Sequence, residues 1–296
     1  LLQGCMQCGK QGRASIKRPM AGRGPFSFPP RDPINVHGRT ARSRERRQVA
    51  RYILVHGAWH GGWCWEEVVP RLRARGHDVR APDLPGMGAD AGSGHVATLD
   101  EWAMFIAGMA RAADEPAILV GHSRGGIVIS RAAELAPEAV VRLVYLAAVM
   151  PMPGQTMAAL FDNTTEAHTQ HAAGSITVSD DGRTSRWHER STAIPAFYGT
   201  TPAAQAAAAF ERLTPEPMSM RDAPMPLTAA RYGSVARTYI HCERDESVTP
   251  GLQRAMVTAQ PCATVSLDTD HSPFYSAPDA LATILDAVAG RPSSRP

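Results

Sequence analysis

From residue 51 onward the chain alternates short, β-rich apolar runs with amphipathic segments. "RYILVHG" (51–57), "HDVRAPDLPG" (77–86), "PAILVGHS" (116–123), "VVRLVYLAAVM" (140–150), "ARTYIHCERD" (236–245) and "ATVSLDTDH" (263–271) read as strands with their following loops. Between them, "WCWEEVVPRLRARG" (63–76), "TLDEWAMFIAGMARAADE" (98–115), "GGIVISRAAELA" (125–136) and "APDALATILDAVAG" (277–290) read as helices. The second helix is the clearest. Thr98 and Glu101 form a capping box, and Leu99, Trp102, Phe105, Ile106 and Met109 recur at helical spacing. Pro70 marks a start or a kink in the first, and Pro137 stops the third. Strands alternating with helices predict an α/β fold, with a mostly parallel central sheet covered by helices on both faces.

Residues 151 to about 232 break this rhythm with many Pro and Met residues, polar stretches such as "SDDGRTS", and one good helix over 201–213 with Pro202 in its first turn. An insertion between two core strands, at the end where catalytic loops gather, is expected to form a cap. The domain is therefore expected over residues 50–290, with a disordered C-terminal end at 291–296.

Charge divides the chain differently. Residues 1–49 carry eleven Lys and Arg against Asp32 and Glu45, while the remainder holds 20 basic and 26 acidic side chains. The formal net charge of +3 therefore hides a basic tail on an acidic body. The tail is rich in Gly, Pro, Arg and Ser and lacks apolar periodicity, so it is expected to be disordered. It begins without Met and reads as an extension foreign to the native protein. No nucleic-acid partner is expected from it. With no apolar run of about 18 residues or more, no membrane association is expected either. Cys5 and Cys8 form a C-x-x-C without a second pair or a nearby His, so no zinc site is expected. Cys64, Cys242 and Cys262 read as reduced core residues, which with the missing signal sequence suggests the cytoplasm.

The candidate chemistry centres on "GHSRG" (121–125). Gly121 and Gly125 flank Ser123 on a strand that turns sharply into a helix, the nucleophile-elbow arrangement. A serine hydroxyl is a poor nucleophile at neutral pH and requires a base oriented by a carboxylate. Downstream, Asp245 lies just past one predicted strand and His271 ends the last. Glu243 and Glu246 compete with Asp245, and His241, His168, His171 and His188 compete with His271. Asp270 directly precedes His271 and is poorly placed to orient its ring. A developing oxyanion needs two N–H donors. Arg124, after the nucleophile, supplies one amide, and the loop "VHGAWHGG" (55–62) supplies the other, with Ala58 preferred and Trp59 as the alternative.

The stretches "YILVHGAWHGGWCWEEVVPRLRARGHDVRAPDLPG", "VGHSRGG", "LVYLAAVMP", "RYGSVARTYIHCERD" and "DHSPF" resemble the α/β-hydrolase superfamily. Within it they are similar to the branch of plant methyl-salicylate-type methylesterases, hydroxynitrile lyases and bacterial carboxylesterases. The resemblance covers about residues 51–289. It implies a Ser123–His271–Asp245 triad, an oxyanion hole from the amides of Ala58 and Arg124, and no cofactor or metal. Hydroxynitrile lyases of the branch carry a lysine beside the catalytic His and a threonine after the His-Gly of the first loop. Here Ser272 follows His271, Ala58 follows His56-Gly57, and no lysine occurs after Lys17.

The expected function is thus a serine carboxylesterase acting on a small or aromatic ester. Two readings compete with it: a hydroxynitrile lyase or carbon–carbon hydrolase on the same triad, and a non-catalytic small-ligand-binding protein.

Overall fold

The computed structural model describes residues 49–162, 174–219 and 224–290. The disorder expected of the N-terminal tail and of 291–296 therefore falls outside the described residues, apart from Val49. Strands β1 (Arg51–Val55), β2 (Asp78–Arg80), β3 (Ala117–His122) and β4 (Val140–Leu146) come first along the chain. Strands β5 (Ile176–Val178), β6 (Thr184–Trp187) and β7 (Glu216–Pro217) then form a small antiparallel sheet of their own. Strands β8 (Ala236–Cys242) and β9 (Ala263–Leu267) return to the main sheet. That sheet is parallel at every pairing, in the order β2-β1-β3-β4-β8-β9.

The inner strands β1, β3, β4 and β8 are buried on both faces because each face meets helices, while the edge strands β2 and β9 keep exposed positions. Helices α1 (Val68–Arg73), α2 (Leu99–Arg111) and α3 (Gly125–Leu135) follow β1, β2 and β3, with α4 (Met157–Asp162) after β4. Farther on lie α5 (Arg190–Tyr198), α6 (Ala203–Glu211), α7 (Pro250–Ala259), α8 (Pro273–Ser276) and α9 (Pro278–Ala289). Ile53, Leu119, Leu143 and Tyr239 share a core with Trp102 and Ile106 of α2 and Ile127 of α3. Their chain neighbours Leu54, Val120, Val144 and Ile240 share the opposite core with Leu72 of α1 and Leu285 of α9. The pleat sends successive side chains to opposite faces, which produces this division.

Most elements lie where the pattern places them. Thr98 caps α2 reciprocally with Glu101, as the capping box requires, an arrangement worth about 1 kcal/mol. The helix expected over 63–76 is instead a short 3-10 turn, Gly62–Trp65, followed by α1. Pro70 is the third residue of α1, within the first turn, where a missing N–H leaves no helical bond unmade. Helices α5 and α7 and the small sheet were not anticipated. Pro195 inside α5 and the three- and two-residue lengths of β5 and β7 explain why no periodic signal stands out there.

The topology points to one region. The chain runs from β1 out to β2 at the edge, then back across β1 to β3, so the order reverses between β1 and β3. Parallel α/β sheets bind ligands at the carboxyl ends of their strands beside such a reversal. The loop after β1 and residue Ser123 after β3 both sit there.

Candidate active site

Ser123 directly follows β3 and has φ +52°, in the left-handed region that side chains other than glycine rarely adopt. Its backbone is held from three directions. The Ser123 N–H donates to the Leu146 carbonyl, while the Ser123 carbonyl accepts from the amides of Gly126 and Val149. The flanking glycines are needed for space. A Cβ on Gly121 would lie 2.7 Å from the Gly125 carbonyl oxygen, and one on Gly125 would lie 2.7 Å from the carbonyl oxygens of both Val55 and His56. The turn thus presses α3 against β1 and leaves Ser123 partly exposed between buried neighbours.

Asp245 and His271 meet in the interior. His271 Nδ1 lies 2.7 Å from Asp245 Oδ2, with the two residues 1% and 2% exposed. The Asp245 carboxylate also accepts from the amides of Ser247 and Val248 and from Gln253 Nε2. Burial raises its pKa above the ordinary range, opposed in part by His271 and by the Ser247 and Val248 amides. A carboxylate can only accept at Nδ1–H, so Nε2 of His271 carries the lone pair. The His271 carbonyl accepts from His122 Nε2 at 2.8 Å, and the two rings lie 4.5 Å apart. His271 is thereby fixed to the residue immediately before Ser123. Among the described residues Ser123 Oγ has no hydrogen-bond partner; contacts of this kind commonly close on substrate binding.

The competing carboxylates are occupied elsewhere. Glu243 is exposed and bonds to Ser266 and Arg254, and Glu246 is exposed. Asp270 accepts from Thr200, Thr201, Ser272 and Ser276, so it ties the last loop to the start of α6. Among the histidines, His188 bonds Thr177 on the small sheet and His241 packs its ring at a tilt against Tyr239. His168 and His171 lie outside the described residues.

The loop after β1 reaches the serine directly, since a Cβ on Gly57 would come within 2.8 Å of Ser123 Cβ. Among the described residues the Ala58 and Arg124 amides donate to no protein acceptor. The Trp59 amide is taken, donating to Glu216 Oε2 at 3.2 Å. The loop's histidines are neutral structural pieces. His60 Nδ1 donates to the Ala58 carbonyl, so the Tyr198 hydroxyl donates to its Nε2, each at 2.7 Å. Burial holds its pKa down at about 4. His56 donates to the Gly57 carbonyl and accepts the Leu84 amide, with its pKa held down at about 3 by burial and by Arg124.

Glu216 of β7 was not legible in the sequence, where it is one glutamate between prolines in "TPEPM". It is 6% exposed and pairs with Arg124, with 2.5 Å from Arg124 Nε to Oε1 and 3.3 Å from Nη2 to Oε2. Arg124 Nη2 also donates to the Gly57 carbonyl at 3.0 Å, and its guanidinium lies 4.1 Å from the centre of the Trp102 ring. Aromatic rings gather beside His271. Phe197 of α5 lies 5.8 Å from the His271 ring, 5.9 Å from Trp59 and 4.7 Å from Trp187 of β6. Trp65 is fully buried in the core, and Trp63 stacks on His60.

Among the described residues no group of three or more His, Cys, Asp or Glu side chains is placed to hold a metal ion. No helix among them is long and apolar enough to cross a membrane.

Comparison with known proteins bears on the whole domain. The Alpha/beta hydrolase family model matches residues 52–284. The chain is 31% identical to Methylesterase 7 of Arabidopsis thaliana over 261 residues, 83% of this chain and 99% of the relative. It is 34% identical to a pyrethroid hydrolase of Sphingobium wenxiniae over 260 residues, 83% of this chain and 89% of the relative. Among solved structures, a pyrethroid hydrolase from Sphingobium faniae JZ-2 superposes with a TM-score of 0.74 at 32% identity, covering 83% of this chain and 99% of that one. These matches and the parallel sheet agree, and the chain belongs to the α/β hydrolase family.

Proposed function

We infer that the protein is a carboxylic ester hydrolase using Ser123 as nucleophile, His271 as base and Asp245 as the group that orients it. The observation that carries this reading is the His271–Asp245 pair, 2.7 Å apart and fixed through His122 to the elbow that bears Ser123. His271 Nε2 removes the Ser123 proton as Oγ attacks the ester carbonyl. Asp245 holds the imidazole in the Nδ1–H form and stabilises the cation that results. The amides of Ala58 and Arg124 receive the tetrahedral oxyanion, where preorganised donors in a water-poor site are worth most. His271 then gives its proton to the departing alcohol. It next activates a water that hydrolyses the acyl-enzyme and regenerates the serine.

The relatives named a methylesterase and a pyrethroid hydrolase support the reaction type. The ring cluster of Trp59, Trp187 and Phe197 beside His271 supports a small or aromatic ester as substrate. Because Trp187 and Phe197 come from the segment between β4 and β8, that segment acts as the cap over the site. Covalent labelling with a fluorophosphonate tests the nucleophile. The expected result is one adduct mapped by mass spectrometry to the peptide holding Ser123, and a folded protein that takes up no label there would contradict the assignment.

A further inference from the structure

The Arg124–Glu216 pair sits where a buried charge is costly. Taking two charged groups out of water is repaid only by good mutual geometry and further hydrogen bonds. Here the bonds made by the pair converge on the two chain segments that supply the oxyanion donors. Arg124 contributes its own amide after the nucleophile, while its side chain donates to the Gly57 carbonyl, one residue before Ala58. Glu216 accepts one hydrogen bond from that side chain, at Nη2, keeps its other oxygen in ion-pair contact with Nε, and accepts the amide of Trp59, one residue after Ala58. Ala58 is therefore bracketed by two residues bonded to the same ion pair. Trp59 is gripped further by the same segment, its carbonyl accepting from the Thr214 amide at 2.8 Å and its Nε1 donating to the Ser185 carbonyl at 3.3 Å. Trp59 also has φ +59°. That strained conformation persists only where surrounding structure enforces it.

We propose that Glu216 is a positioning residue for the oxyanion hole, acting through the Arg124 side chain and the Trp59 amide to hold the Ala58 and Arg124 N–H groups convergent. This rests on the ester-hydrolase reading of the site. The small sheet does more than cover the substrate: through Glu216 it sets the geometry that stabilises the transition state. Engaging the Trp59 amide also removes the competing donor of the loop and leaves that of Ala58 free.

The test compares wild type, Glu216→Gln, and the double variant Arg124→Leu/Glu216→Leu on one p-nitrophenyl ester, with inhibition by a trifluoromethyl ketone as second readout. The ketone forms a tetrahedral oxyanion adduct with the serine and so reports on the hole directly. The double variant keeps the backbone donor of residue 124 and leaves no orphaned charge, a change that folded proteins tolerate well. Misaligned donors are expected to lower kcat about 10- to 100-fold in both variants, below the loss for removing a donor outright. KM should stay within about twofold, and the inhibitor should weaken by a factor similar to that in kcat/KM.

Wild-type kcat and inhibition in the folded double variant would overturn the proposal, as would a lowered melting temperature as the only effect. Ser123→Ala in the same assay separates the two claims. Hydrolysis that survives Ser123→Ala would overturn the hydrolase reading and this proposal with it. Serine-dependent hydrolysis indifferent to Glu216 would overturn the positioning role alone.

Discussion

His271 Nδ1 donates to Asp245 Oδ2 across 2.7 Å in a region closed to solvent, and this bond decides which tautomer the imidazole adopts. Replacing the carboxylate with an amide removes that control, because an Asn side chain also offers an N–H toward the ring. Asp245→Asn is expected to lower kcat by about three to four orders of magnitude. Circular dichroism should stay native, since the Ser247 and Val248 amides still find an oxygen. Steady-state kinetics on the folded variant check this, and a loss below about tenfold would mean that Asp245 does not orient the base.

The elbow glycines make a second prediction. A methyl group on Gly125 would sit 2.7 Å from two backbone carbonyl oxygens of the β1 end, neither of which is a flexible tip. Gly125→Ala is expected to cost about 1–3 kcal/mol of stability through overpacking. It should also lower ester turnover by displacing Ser123. Thermal melts and kinetics on the same preparation test both, and a variant with unchanged melting temperature would contradict the crowding.

Strain at Ser123 predicts the opposite sign for a different change. Glycine occupies positive φ without the penalty that a Cβ imposes. Ser123→Gly, with φ +52° at that position, should abolish hydrolysis while raising stability by about 1 kcal/mol. For a domain of this size that is roughly 2–4 °C in melting temperature. A fall in melting temperature would show that the serine conformation stores no strain.

The buried histidines set a pH dependence of stability. His60 titrates at an ordinary 6.5 when unfolded and at about 4 when folded, and His56 at about 3 when folded. Between these values the unfolded chain binds more protons than the native one, so stability is full above pH 6.5 and is lost as pH falls toward 4. His60 alone accounts for a loss on the order of 3 kcal/mol across that window. The melting temperature should therefore drop steeply from pH 6.5 to 4.5. A flat profile there would mean that these rings are not buried in neutral form.

Much of this site was legible because its chemistry is local. A strand, a Gly-flanked serine and a helix lie within one stretch of chain, and an acid and a histidine follow two later strands at loop positions. Those are the positions from which the fold brings Asp245 and His271 together. Sequence order could not separate the amides of Ala58 and Trp59, because the difference lies in Glu216, more than 150 residues away in the chain. Glu216 itself carries no local signature, since its meaning depends on a two-residue strand in a small sheet. Helix α5 was hidden by Pro195, and with it Phe197, whose ring faces His271. Long-range pairing decides such features.

The most direct test is hydrolysis of a short-chain p-nitrophenyl ester by the wild-type protein and by Ser123→Ala, measured side by side. The account predicts turnover by the wild type and a loss of several orders of magnitude in the variant. Ester hydrolysis retained by Ser123→Ala, or a folded wild type inactive across short-chain and aromatic esters, would contradict it.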